Sequence, residues 1–334
     1  MRNVDFTWLV IPLVATTCLI AAGCDGSDGQ ITVTPEGEPE AQEATEHIER
    51  ESAIPPDQEK ITPANDPLPP ILHSDEYREP VPLPYPVNTA GAEDSAFIMP
   101  DGNTLYFWFT PDPNIPPAEQ LEDGVTGIYR TEKEGGEWQQ PERIFLADPQ
   151  KQALDGCVFI LEDRMWFCSA RTGYTGMQWF IANLEQGEWV DWEVAGFDPD
   201  YEIGELHITT DGNRLYFHSA RDGSEGQYDI WVCRKENAHW QEPENIAVVN
   251  SAESDGWPSL NPEGDELWFT RTYMGSPAIF RSEKTDGKWQ EPELIISRFA
   301  GESSVDEEGN IYFTHHFFED GVMLEADIYV SYRK

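Results

Sequence analysis

Four tryptophans, Trp138, Trp189, Trp240 and Trp289, stand 51, 51 and 49 residues apart, and the same order of features fills each interval. An acidic residue opens the interval, a short apolar run follows, and a Gly-containing turn breaks it. Two more apolar runs then lead to the tryptophan. The second run carries Phe107, Phe167, Phe217, Phe269 and Phe313; the third begins at Gly127, Trp179, Asp229, Ala278 and Asp327. Turn residues that accept left-handed backbone angles, flanked by strand-favouring residues, are a hairpin signal. Each unit is therefore four antiparallel strands. A period near fifty with four strands per unit predicts an all-β fold, a five-bladed β-propeller of four-stranded blades spanning residues 76–334. The fifth unit reaches only its third strand at Lys334. The stretch from Tyr77 to about Val87 is similar to the one from Trp240, which predicts that an N-terminal strand completes the last blade and closes the ring.

Three stretches, MPDGNTLYFWF from Met99, TTDGNRLYFHSAR from Thr209 and NPEGDELWFTR from Asn261, resemble the WD40-like repeat of TolB-type propellers. The resemblance runs over about Tyr77 to Lys334 and implies the fold. It implies little about function, because such repeats serve unrelated binding proteins and a few enzymes. The additional N-terminal domain and sixth blade of TolB-type proteins have no counterpart here, so their transport role is not expected.

Residues 1–23 read as an export signal, with an uncharged, mostly apolar run from Phe6 to Ala22 ending in AAGC. This resembles a bacterial lipoprotein signal, which implies lipidation at Cys24; an uncleaved membrane anchor is the other reading. Either places the propeller on the periplasmic or cell-surface side of a bacterial envelope. Residues 24–75 are rich in Glu, Pro and Thr and nearly free of aromatics, which predicts a disordered acidic tether. The net charge is −42. Such a field repels nucleic acid and anionic lipid, so membrane contact is expected through the N-terminal lipid alone, and the partner is an envelope protein or a glycan met by a monomer. Cys157 and Cys168 fall opposite each other if the second unit turns at Glu162 and Asp163, which makes a disulfide feasible in an exported chain. Cys233 reads as a small core residue.

Acids stand near the start of every innermost strand: Glu93 and Asp94, Asp155, Glu205, Asp255 and Glu302. Gathered on one axis they suit a cation such as calcium, or sugar hydroxyls; the competing reading has each acid cap a turn or pair with an arginine of the next blade. Arg171, Arg221 and Arg271 recur after the second strand. They suit a carboxylate or an anionic sugar, or else ion pairs between blades with Asp229 and Asp327 as partners. The repeated tryptophans read as packing residues. In a repeat protein the unrepeated features point more directly to function: the insertion 111–124, Tyr174, Trp179 and Trp192, and the histidines His207, His218, His315 and His316. No nucleophile motif, phosphate loop or zinc spacing occurs. The expected role is binding or scaffolding without catalysis and without an obligate cofactor, calcium being possible. The alternative is a glycoside hydrolase-like enzyme using Asp155, Glu205 and Asp255, and a third reading is a calcium-stabilised spacer.

Overall fold

A computed structural model describes residues 49–147, 151–197 and 203–334. The signal, Cys24 and the first half of the expected tether lie outside these residues. The described chain is nearly all strand, and the strands follow the repeat. Unit one holds Ala92–Ile98, Thr104–Thr110 and Gly127–Glu134, with Glu142–Arg143 outermost. Unit two is Ala153–Leu161, Arg164–Arg171, Gln178–Glu185 and Glu188–Val194. Unit three is Leu206–Ile208, Arg214–Ser219, Asp229–Glu236 and Glu244–Asn245. Unit four is Asp255–Leu260, Glu266–Tyr273, Ser276–Thr285 and Glu293–Ser297. Unit five is Ala300–Val305, Ile311–Glu319 and Val322–Ser331. Against its last strand lies Val81–Pro82, with Val81 opposite Val330 and an outlying bridge from Tyr77 to Arg333.

The core sits between sheets, because strands buried on both faces must find apolar partners on either side. Tyr106 and Ile128 of unit one pack with Met165 and Phe167 of unit two. Trp166 of unit two packs with Leu215 and Phe217 of unit three, and Tyr216 and Ile230 of unit three with Leu267 and Phe269 of unit four. Trp268 of unit four packs with Phe313 and Tyr329 of unit five, while Tyr312 and Ile328 of unit five pack with Leu105 and Phe107 of unit one. Innermost strands touch in the same succession, the fifth meeting the first. This is a β-propeller-type arrangement. Three of the spaced tryptophans lie under a lysine of the preceding strand, with Lys133, Lys235 and Lys284 nitrogens 4.5, 5.0 and 4.3 Å from the rings of Trp138, Trp240 and Trp289. The lysine stem covers the indole while its charge stays near solvent.

Residues 49–75, expected from composition to belong to a disordered tether, are packed against the sheets. From Glu49 onward the chain lies on the sheets as a strap. Ile71–Leu72 adds a strand to the outer edge of unit four, pairing with Ile296 and Ser297. Asp66 accepts a 3.0 Å hydrogen bond from His315, and Lys60 reaches both Glu325 and Asp327. Arg50 is only 2% exposed. A segment poor in apolar residues is held here by ion pairs at specific buried acids, which a compositional argument cannot see.

Unit two turns at Glu162 and Asp163, and Cys157 and Cys168 are joined in a disulfide with Cα atoms 5.4 Å apart. Cross-linking so short a loop stabilises by at most about 3 kcal/mol. Reduction is therefore expected to lower the melting temperature by several degrees without abolishing the strand signal in circular dichroism.

Candidate metal centre

Four of the five innermost strands carry a β-bulge, and alignment on it sorts five of the six predicted acids into two tiers, with Asp94 between them. Aligned on the strands, the first-tier positions are Glu93, Asp155, Ile203, Asp255 and Ala300. Two residues later comes the bulge position, occupied by Ser95, Cys157, Glu205, Trp257 and Glu302. Four of these bulge residues hold left-handed backbone angles, φ 52 to 54°, which no glycine relieves. Such angles cost about 1 kcal/mol or more each and persist where the surroundings over-determine them.

The bulges are braced from the neighbouring unit. His218 Nδ1 accepts the Trp257 N–H at 3.0 Å, Thr270 Oγ1 the Glu302 N–H at 2.8 Å, and Thr314 Oγ1 the Ser95 N–H at 3.1 Å. The acceptor is always the residue after the second-strand Phe of the preceding unit. Trp108 and Cys168 hold that position in units one and two, the latter in the disulfide. His207 makes a comparable contact, accepting the Leu260 N–H at 3.3 Å. Burial pushes both His207 and His218 down to about 3, so these rings work as neutral acceptors.

The first-tier acids are spent. Asp155 is bound by Arg171 at 2.7 Å and Asp255 by Arg271 at 2.5 Å, within one unit. Each guanidinium also lies over the facing aromatics, Arg171 above Phe167 and Phe180, Arg271 above Phe269 and Phe280. For Arg171 and Arg271 the expected pairing between blades is thus corrected: each binds an acid of its own unit. Asp229 instead accepts backbone N–H bonds from Glu225 and Gly226, and Asp327 binds Lys60. Arg221 lies over Phe217 and Trp231 with its Nε on Ser219.

Unit one has Pro111 where units two and three have Arg171 and Arg221, and the strap supplies a cation for Glu93. Arg50 meets Glu93 at 3.1 Å, sits over Phe107, Phe109 and Tyr129, and donates to the Val87 carbonyl at 2.8 Å. Arg271 donates to Val249 in the same manner. Glu93 and Asp255 each also accept a backbone N–H four residues upstream, from Thr89 and Ser251.

The remaining acids, Asp94, Glu205 and Glu302, converge from units one, three and five. Ser95 Oγ donates to Glu302 Oε2 at 2.5 Å and lies 3.5 Å from Glu205 Oε1. His316 closes the group, its Nε2 3.4 Å from Asp94 Oδ1. One ligand atom each from Asp94, Glu302 and His316 fall within 4.8 Å of one another. Asp94 is fully buried, Glu302 5% and His316 1% exposed; Glu205 keeps partial access. Burial, then the charge of Asp94, pushes Glu205 up to about 8. Burial and the charges of Asp94 and Glu205 hold Glu302 well above the usual carboxylate range. Burial also acts on Asp94, but His316 and the Ser95 N–H outweigh it and keep this carboxyl low.

The catalytic trio Asp155, Glu205 and Asp255 is not assembled, since two members are locked to arginines and only Glu205 reaches the convergence point. Sequence reading grouped all six acids and set His316 among the unrepeated features that point to function, without assigning it to a particular acid. A signal for Asp94 was present: the position before the bulge is Gly156, Gly204, Gly256 and Gly301 in the other four units. A Cβ on Gly204 would stand 1.9 Å from His218 Nε2, so that glycine is required by close packing. Asp94 replaces glycine only in unit one.

These features define a β-propeller-type protein with a buried carboxylate–imidazole group where its inner strands meet. No family model matches the chain, and no curated relative matches it. Among solved structures it is similar to a putative TolB from Agrobacterium tumefaciens, 16% identical with TM-score 0.39, covering 74% of this chain and 92% of that one. It is similar also to a gluconolactonase from Xanthomonas campestris, 11% identical with TM-score 0.46, covering 82% and 97%. A puromycin-hydrolysing peptidase from Mycobacterium tuberculosis is 11% identical with TM-score 0.37, covering 67% of this chain. The chain spans 43% of that peptidase, less than half its length. No activity follows from likenesses this distant.

Proposed function

We propose that the chain is a five-bladed, WD40-like propeller that binds a protein or glycan partner in a bacterial envelope, held there as a monomer by a lipid on Cys24. Ring closure is supported by the pairing of Val81–Pro82 with the last strand and by the Thr314 to Ser95 brace from unit five to unit one. Binding is supported chiefly by one observation. A groove of about 560 Å³ runs between the strap and residues 82–90, walled by Pro55, Pro56, Pro63 and Pro82, with Tyr85 at its rim. Tyr85 is 69% exposed, an aromatic ring available for stacking on a sugar or a peptide.

The insertion 111–124 is a second contact surface on the same reading. It follows directly on the second strand of unit one, and Asp123 fixes it by accepting the Val125 and Thr126 N–H groups. Affinity capture with the parent, Tyr85→Ala and a 111–124 deletion tests the proposal. The parent is expected to retain one identified envelope component that one or both variants lose. Equal recovery by all three would remove both surfaces from consideration.

One observation favours the enzyme alternative. Asp94 is held low and Glu205 high at the same point, the divided pair that acid–base chemistry uses. Turnover of an oligosaccharide that survives Glu205→Gln would dispose of that reading.

A further inference from the structure

The convergence of units one, three and five leaves a specific electrostatic problem. Three carboxylates meet in a space from which water is largely excluded, and no lysine or arginine of the described residues is paired with any of them. The repeat solves the same problem elsewhere with a guanidinium, at Glu93, Asp155 and Asp255. At the axis it has placed an imidazole instead. Ligand-type atoms are also left over: Asp94 Oδ2, Glu302 Oε1 and both nitrogens of His316 are buried and make no hydrogen bond. Buried polar atoms are nearly always satisfied, and one shared partner would satisfy Asp94 Oδ2, Glu302 Oε1 and one nitrogen of His316, since the two nitrogens of an imidazole point apart and only one can reach it. Thr314 and Thr270 complete the shell by holding the backbone of Ser95 and Glu302, which orients two of the chains that carry the donors.

We infer that Asp94, Glu302 and His316 bind a divalent first-row cation of the Mn²⁺ to Zn²⁺ type, with Glu205 and the Ser95 hydroxyl beside it. An imidazole nitrogen among carboxylate oxygens selects such ions over calcium, which takes oxygen ligands almost exclusively. Calcium, the ion that the acids alone suggest, is therefore the weaker occupant. The ion ties unit five to unit one across the junction that the N-terminal strand also spans, and it draws Glu205 of unit three toward the same point. The inference rests on these side chains and stands whether or not the groove binds an envelope partner.

Metal content decides it. Untagged protein, stripped with chelator and dialysed against micromolar Mn²⁺ or Zn²⁺, is expected to retain one ion per chain by elemental analysis, and calcium is expected to bind more weakly. The Asp94→Asn/Glu302→Gln variant keeps shape and removes two buried charges. It is expected to lose more than about a hundredfold in affinity, because outer-shell partners alone are worth 10- to 100-fold. A measurement on the parent protein needs no variant to fold: Cu²⁺ or Mn²⁺ bound at the site is expected to show nitrogen coupling from His316 in pulsed electron paramagnetic resonance. No retained ion, retention unchanged in the double variant, or a bound ion without nitrogen coupling would each overturn the assignment.

Discussion

Arg50→Ala is expected to lower the unfolding free energy by about 3–5 kcal/mol, the cost of leaving a buried charge without its partner. Glu93 has no exposed surface, and its other contacts are the Thr89 backbone and hydroxyl. Burial already holds Glu93 above the usual carboxylate range, with Arg50 the largest opposing influence. Without Arg50 this acid takes up a proton, so the defect is expected to be larger at pH 8 than at pH 5. The loss amounts to roughly 10 °C in melting temperature for a chain of this size. Glu93→Gln in the Arg50→Ala background is expected to recover part of it, since the orphaned charge is then gone. A fragment beginning at residue 76 loses Lys60 and Asp66 as well and is expected to be less stable still. A denaturation midpoint unmoved by Arg50→Ala would show that the strap is ornamental to the fold.

The second large effect is on acid stability. His218 and His207 are neutral acceptors with folded values near 3, against 6.5 for a free imidazole. The unfolded chain therefore binds the proton first. Stability from these rings is complete above about pH 6.5 and declines as the pH falls toward 3, by up to about 1.4 kcal/mol per pH unit per ring. Glu205 acts in the opposite sense: its contribution is present below its ordinary value of 4.5 and is lost as the pH rises to about 8. The parent profile contains both slopes, so the test is a difference. His218→Gln retains an acceptor for the Trp257 N–H and cannot titrate. Its urea midpoint is expected to fall less steeply than the parent's between pH 6.5 and 4. Parallel profiles would mean that His218 is protonated in the folded protein.

The strand pattern was legible because it depends on local chemistry. A Gly-containing turn between apolar runs makes a hairpin wherever it occurs, and the fifty-residue period repeats it; the third strand expected from Asp229 runs Asp229–Glu236. The match of Tyr77–Val87 to the stretch from Trp240 likewise located a segment that pairs with Tyr329 and Val330. What composition could not convey is that Arg50 fills a place left empty by Pro111, sixty-one residues along the chain. The acids show the same limit. All six were visible, yet only the packed sheets bring Glu205 and Glu302 to Asp94 and leave Asp155 and Asp255 beside arginines.

The order of strands, their pairing within each unit and the apolar faces were thus determined by sequence alone, since periodicity and turn chemistry act over a few residues. The partition of the acids, the lodging of the strap and the meeting of Asp94, Glu302 and His316 were decided by tertiary structure. Those outcomes depend on which charges come within 3–4 Å after the sheets pack. Residues more than two hundred positions apart carry no mark of that distance in the chain.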